Sequence, residues 1–549
     1  MTKRSWQYFM WMGKGAAWLY STAHAAAKEA ELKRLAEEAA RPPDPMDGLA
    51  DAGELDQYRY QPGAFYLGQL HEDHGANFEA GIHDDRGVFM VAGSGAGKGT
   101  SFYIQNCLRW PGPLVCVDPK GEAAMITAMR RGTEEAAKGT GTSVRPPFLG
   151  QRVAILDPFG LVKGPARRYR VTYNPLRDVD LSRGGGVRQI RAIASGLVVH
   201  EPGEGKHFSE SAETLIAGVI EVMKLTETNA ADATLPKVRR VVLGEVKTRF
   251  KHESADAQES KEAYDHLVDY LKRTKTKAGL GREALAIVED VGRDEWSGYR
   301  STLSRAVRWM AEPEMQDHLQ DSSFSLWDIV QEGGSVYFVL QSDEIDDYKS
   351  WLRVVIRMAT AAKMALGTNQ KGPKTLFMLD EFAALGRFRI LEKAVAEMRG
   401  YGIKLVPVIQ NIGQLKELYG ANWETFLANS AAILAWGLND GETEKYIADR
   451  FGRVMSWETS AGVNAGGAGF STSAGSSANS SWRERPVRFP NEIHEQGAAG
   501  TMRAFVIPAA GKGFTVRRRP YYEQLASKRV FDSPDFIAAW EEKYGGKIS

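Results

Sequence analysis

The sequence predicts an α/β protein: a parallel sheet interrupted by an all-helical insertion. Three observations carry that reading. Residues 88–100, VFMVAGSGAGKGT, run a short apolar stretch into a loop that sets Gly93, Gly95, Gly97 and Gly99 around Lys98. Residues 375–381, TLFMLDE, end a second apolar stretch in two adjacent carboxylates, Asp380 and Glu381. From residue 60 onward, short apolar runs alternate with helical stretches, except between about 180 and 325. Strands covered on both faces and joined by helices read this way.

The glycine loop comes first. Glycines let backbone N–H groups turn inward onto phosphate oxygens, and a lysine ammonium reaches the outer phosphates. The candidate phosphate-binding residues are Ala92, Gly93, Ser94, Gly95, Ala96, Gly97, Lys98, Gly99 and Thr100. The loop departs from G-x-x-x-x-G-K-[ST] twice: Ala92 stands at the first glycine position, and Gly99 follows the lysine. The hydroxyl expected on Mg²⁺ is therefore either displaced to Thr100 or missing. A dinucleotide loop is the structural rival, with Asp118 about twenty residues on as its ribose ligand. Lys98 and the distant acidic pair decide against it.

The acidic strand end supplies the chemistry the loop lacks. Asp380 is placed to hold Mg²⁺, through water, and Glu381 to orient and deprotonate an attacking water. Together the two stretches point to hydrolysis of a nucleoside triphosphate, with ATP and Mg²⁺ as the expected cofactors. Gln410 closes another apolar run, KLVPVIQ, and is either a γ-phosphate sensor or a plain strand terminus.

The strand candidates in order are VFMVAG, PLVCVD, RVAILD, SVYFVL, TLFMLD, KLVPVIQ, AAILAWG and AFVIPA, all read as parallel strands. Between them, VRQIRAIASGLV, FSESAETLIAGVIEVMKL, ESKEAYDHLVDYLKRTKTK and YRSTLSRAVRWMAEPEM repeat apolar residues at three- and four-residue spacing. The expected organisation is an N-terminal helical segment and linker at 1–45 and the first part of the nucleotide domain at 46–180. An all-α insertion follows at 181–325, then the second part at 326–530 and a tail at 531–549. Residues 459–481, rich in Ser, Gly and Ala, are expected to form a mobile loop.

Composition narrows the class. A chain of 549 residues with 43% hydrophobic and 25% charged residues is ordinary for a globular protein of several domains. A formal charge of +1 gives no global basic field, so any DNA contact has to come from a local patch or the lumen of an assembly. Cys107 and Cys116 fall in a helix and a strand without metal-site spacing, as free core thiols do. His71-Glu72-Asp73-His74 reads as a solvated loop rather than a metal site. No segment reaches the ~18 apolar residues of a membrane span. The aromatic N-terminus reads as a surface helix or one lying on a membrane or partner.

With these residues in view, the chain resembles the coupling ATPases of type IV secretion and bacterial conjugation. Their phosphate loop often reads A-x-x-x-x-G-K-G, matching Ala92 through Gly99. The order continues with D-x-K-G-E at Asp118–Glu122, a DPFG turn at Asp157–Gly160, N-P-L at Asn174–Leu176, DEFAALGRF, GYGIKLVPVIQNIGQLKELYG, WETFLANS and RPVRFPNEI. The resemblance covers roughly residues 60 to 525. It implies a P-loop NTPase fold of RecA-like type and a ring-forming, hexameric motor at the inner face of the bacterial inner membrane. Membrane contact is then peripheral or through a partner. The cargo would be DNA, single-stranded with its relaxase, or protein effectors, delivered to the type IV secretion channel. It also implies that Arg399 completes a neighbouring subunit's site, against the alternative of a helix C-terminal cap. Asp118, Lys120 and Glu122 either line the nucleotide site or form a salt-bridged turn. Two other functions remain open, a DNA translocase of segregation or packaging and a cargo receptor switched by nucleotide.

Overall fold

The computed structural model describes residues 34, 48–71, 74–182, 184–200, 205–227, 229, 232–244, 255–274, 279–368, 370–464 and 475–545. Its strands are β1 (Phe65–Leu70), β2 (Glu79–Ile82), β3 (Val88–Ala92), β4 (Leu114–Asp118), β5 (Val153–Leu156), β6 (Arg170–Val171) and β7 (Ser335–Val339). Then come β8 (Thr375–Leu379), β9 (Ile403–Ile409), β10 (Ala432–Trp436), β11 (Arg453–Asn464), β12 (Gly475–Pro486), β13 (Arg503–Pro508) and β14 (Phe514–Arg517). Twelve form one sheet in the order β2-β1-β14-β13-β10-β3-β9-β8-β4-β7-β5-β6. From β10 to β6 every pairing is parallel. β3, β4, β7, β8, β9 and β10 are buried at every position, which is why they read as unbroken apolar runs rather than alternating ones.

AFVIPA corrects the parallel reading. It lies in β13, which pairs antiparallel with both β10 and β14. The few residues between β13 and β14 are too short for a crossover, so the two strands form a hairpin. β1 and β2 extend this antiparallel edge.

Among its described residues, the stretch expected as an insertion at 181–325 carries helices and no strand. The helix Gly186–Leu197 lies against the helix Ile345–Ala365, which follows β7. A Cβ at Gly196 would meet Val354 Cα at 2.6 Å, so the two backbones need glycine to come this close. Arg353, 1% exposed, fixes the crossing. It donates to the carbonyls of Gly196, Val198, Leu385 and Arg387 at 3.0–3.2 Å. Beyond it, Gly205–Thr226 packs along Leu280–Val307, with Leu235–Leu243 and Ala255–Leu271 beside them. Residues 50–447 and 490–549 form one compact unit that includes these helices. In the stretch expected as a tail, 531–549, helix Pro534–Tyr544 buries Ile537 and Trp540, and the Trp540 indole donates to Thr140 O at 2.9 Å.

The second unit comprises residues 1–49 and 448–489. The segment expected at 1–45 lies outside the described residues, apart from Arg34. The loop expected at 459–481 is corrected: β11 and β12 pair from Arg453↔Pro486 to Asn464↔Gly475, leaving only 465–474 outside the described residues. A ladder is built from backbone groups that serine and alanine carry as well as valine does, so poor apolar content did not exclude strands.

Candidate functional site

The phosphate loop and the acidic pair meet at the carboxyl ends of the parallel strands. β9 lies between β3 and β8, so the ends of three neighbouring strands carry the loop, Gln410 and Asp380–Glu381. The Lys98 ammonium is 3.0 Å from Asp380 Oδ1 and 2.5 Å from Glu381 Oε1. Gln410 Nε2 donates to Glu381 Oε2 at 3.2 Å. Burial opposes the charge on Lys98, but the pull of Asp380 and the bond to Glu381 outweigh it and hold the ammonium above its ordinary pKa. Burial pushes Asp380 up, Lys98 pulls it down and Glu381 adds to the rise. Glu381 has φ 50°, a left-handed conformation costing a non-glycine residue about 1–2 kcal/mol.

The loop's shape follows from close packing as well as from glycine's freedom. Gly95 and Gly97 have φ of 71° and 72°. A Cβ on Gly93 would meet Gly437 O at 2.1 Å, and one on Gly437 would meet Ala96 Cβ at 2.3 Å. The Ala96 carbonyl is drawn inward by Trp436 Nε1 at 2.9 Å and by Arg518 Nη1. Across a trans peptide the carbonyl and the next N–H point opposite ways, so the Gly97 amide is aimed away from Trp436 and Arg518. Arg518 is 2% exposed and its other donors reach Arg503 O and Ala499 O. Neither side chain's role is legible in the sequence. Trp436 read as part of an apolar strand, and Arg518 sits in a basic run whose spacing says nothing about the loop.

Other expected residues fall as follows. Thr100 is the second residue of a wide π-type turn, Gly99–Tyr103, and its hydroxyl donates to Gly97 O at 3.2 Å. Asp118, buried at the end of β4, accepts Ala124 N–H at 2.7 Å and caps the helix Glu122–Arg131. Burial pushes its carboxyl up to about 7. Lys120 and Glu122 are exposed. Neither sequence alternative for this triplet describes the helix cap. Asp157 likewise accepts two turn amides, Leu161 and Val162, both at 2.9 Å. His74 corrects the solvated-loop reading: it is buried, with Nδ1 3.1 Å from Ala50 O and Nε2 accepting Thr515 N–H at 2.9 Å. Cys107 and Cys116 are free and buried. Arg399 is not brought to the site. It is exposed and precedes β9, at the amino ends of the strands, whereas Gln410 follows the same strand. Seven strand residues at ~3.3 Å each put the two roughly 23 Å apart.

Residues 49–543 match the family described as Type IV secretory system Conjugative DNA transfer. The conjugal transfer protein TraG of Agrobacterium fabrum is 28% identical over 371 residues, covering 66% of this chain and 50% of that protein. The type IV secretion system-coupling protein VirD4 of Bartonella quintana is 25% identical over 415 residues, covering 74% and 59%. The chain thus spans about half the length of these relatives. Among solved structures, the bacterial conjugative coupling protein TrwBdeltaN70 superposes with TM-score 0.57 at 15% identity, over 86% of this chain and 92% of that one. The plasmid coupling protein TrwB in complex with ADP and Mg²⁺ superposes with TM-score 0.56 at 14% identity, over 86% and 93%. At these identities the likeness is one of fold.

Proposed function

Because the chain belongs to the type IV secretory system conjugative DNA transfer family, we propose that it is an ATP-hydrolysing coupling protein that drives DNA–protein or effector cargo into a type IV secretion channel. The observation that carries this reading is the meeting of Lys98 with both Asp380 and Glu381, beside Gln410. A receptor that only sensed nucleotide would not need the second carboxylate, so the set supports a motor.

The residues fit ATP and Mg²⁺. The loop has two glycines at positive φ, a backbone held so that Gly97 N–H faces away from the core, and one lysine. The acid pair offers too few ligands to cage a metal alone, which suits Mg²⁺ held jointly with phosphate oxygens. Lys98 and the loop amides would hold the phosphates, and Asp380 the metal, with Thr100 its hydroxyl candidate. Bound Mg²⁺–ATP supplies the electrophilic phosphorus and neutralises the leaving diphosphate. Lys98 then exchanges Glu381 for phosphate oxygens, which frees Oε1 to accept the proton of the attacking water. Gln410 keeps the carboxylate plane fixed through Oε2. Arg399, at the far end of the sheet, cannot serve its own loop. An assembly in which it reaches the neighbouring subunit's phosphates gives it a role in neutralising transition-state charge.

The proposed partners are single-stranded DNA with its relaxase or protein effectors, the secretion channel, and copies of the chain in a hexamer. The proposed place is the inner face of the inner membrane. Among the described residues no helix is long and apolar enough to cross a membrane. The test is ATP turnover of the purified chain alone, with single-stranded DNA and with duplex DNA, each at two salt concentrations. Stimulation by DNA that weakens with salt supports DNA cargo. Turnover indifferent to both would restrict the cargo to protein.

A further inference from the structure

A cavity of about 650 Å³ opens at the amino ends of the central strands, on the opposite edge of the sheet from the phosphate loop. Most of its charges cancel locally. Arg86 grips Asp84 through bonds of 3.0 and 2.7 Å, and Lys374 lies 3.7 Å from Asp85. Among the described residues, two of its cations are left without an ion pair. One is Arg399, exposed on the cavity's rim. The other is Lys404, the second residue of β9, which is 5% exposed. Among the described residues its ammonium has no hydrogen bond or ion pair, and it rests 4.9 Å from the Trp110 ring centre.

A cation face-on to tryptophan is only partly compensated for lost water. Desolvation accordingly draws the Lys404 amine down to about 8, although Asp84 and Asp85 oppose the shift. The residues on its own face of β9, Val406 and Val408, are buried and apolar, so packing along the strand does not call for a charge at 404. A lysine kept there at a cost to stability suits an anion that arrives from outside. A head-to-tail assembly joins two different faces of the chain, and one that sets the amino-end face of one sheet against the carboxyl-end face of the next would bring this cavity to the phosphate loop. We propose that this cavity is the receiving half of an intersubunit phosphate site, in which Lys404 joins Arg399 on phosphate oxygens of a nucleotide held by the loop of a second copy of this chain. The inference rests on the ATPase reading and on Arg399 acting in trans.

The test uses Lys404→Met, which keeps an unbranched stem against Trp110 and removes the charge. Its ATP turnover is expected to fall about tenfold or more, with nucleotide affinity within about twofold of wild type. Its thermal midpoint should equal or exceed that of wild type, because a desolvated charge has gone. Mixed with Lys98→Ala subunits, inactive themselves but intact at 404, it should recover turnover beyond the sum of the two. Wild-type turnover by Lys404→Met would overturn the proposal, as would a loss that mixing does not repair or a lowered thermal midpoint. So would full protection of the Lys404 amine from acylation by inorganic phosphate alone, which would make the ligand a free anion. A wild-type chain without ATPase activity would instead strike at the function proposed above.

Discussion

Lys98 and Glu381 are 283 positions apart in the chain, and their Nζ and Oε1 atoms stand 2.5 Å apart. The contact closes only because β9 fits between β3 and β8 and because Glu381 accepts a left-handed backbone. A strained residue at a strand end, held to a loop lysine and a strand-end glutamine, ties the chemistry to the sheet itself rather than to a mobile segment.

Lys98→Ala is expected to abolish hydrolysis and weaken nucleotide binding. It removes the loop's cation and leaves two carboxylates facing each other. That pair should make the variant bind Mg²⁺ without nucleotide more readily than wild type does. Isothermal titration with Mg²⁺ and with ATP reads both effects.

Arg518→Ala should weaken ATP binding about tenfold, ~1.4 kcal/mol, with a smaller change in kcat. The Ala96 carbonyl then keeps only Trp436, and the Gly97 amide loses part of its aim. Comparing KM with kcat, and repeating the comparison for Trp436→Phe, separates a loop effect from general destabilisation.

Removal of the helical stretch should depend on where the cut begins. Replacing 201–311 with a short linker spares the Gly196 and Val198 carbonyls that Arg353 holds. It is expected to leave a folded ATPase that has lost stimulation by cargo. Replacing 185–320 strips those acceptors from a buried guanidinium at about 1–3 kcal/mol for each orphaned donor, and also exposes the face of Ile345–Ala365. Thermal unfolding of the two variants gives the comparison, and equal midpoints would argue against the role assigned to Arg353.

His318 should make the fold acid-sensitive. It is 4% exposed, with no partner for Nε2 among the described residues, and burial, with Arg170 adding, lowers its pKa from 6.5 to about 3. The unfolded chain takes up a proton below 6.5 that the folded chain refuses. This contribution is therefore present above 6.5 and lost as pH falls toward 3. His318→Phe, packing on Trp351 as the imidazole does, should flatten the fall in stability between about pH 6 and pH 4, read from denaturant midpoints.

The parallel half of the sheet and the Lys98, Asp380 and Glu381 constellation were legible because each rests on local chemistry: glycines beside a lysine, acids closing an apolar run. What was not legible depends on partners distant in sequence. β13 reads like any buried strand, and its direction is set by the hairpin with β14. The tie from Arg518 to Ala96 spans 422 positions and has no spacing rule behind it. The β11–β12 hairpin was hidden by composition, since small polar residues can pair through backbone while burying little. Asp118 was open between lining the nucleotide site and a salt-bridged turn, and nothing local marked it as the acceptor for an amide of the next helix.

The most direct test of the central claim is Glu381→Gln, measured for ATP binding and for turnover in the same preparation. Lys98, Asp380 and the loop remain in this variant, and only the proton acceptor is lost. Binding of ATP with Mg²⁺ at close to wild-type affinity, with hydrolysis reduced about a thousandfold or more, is the result this account predicts. Hydrolysis at the wild-type rate would contradict it.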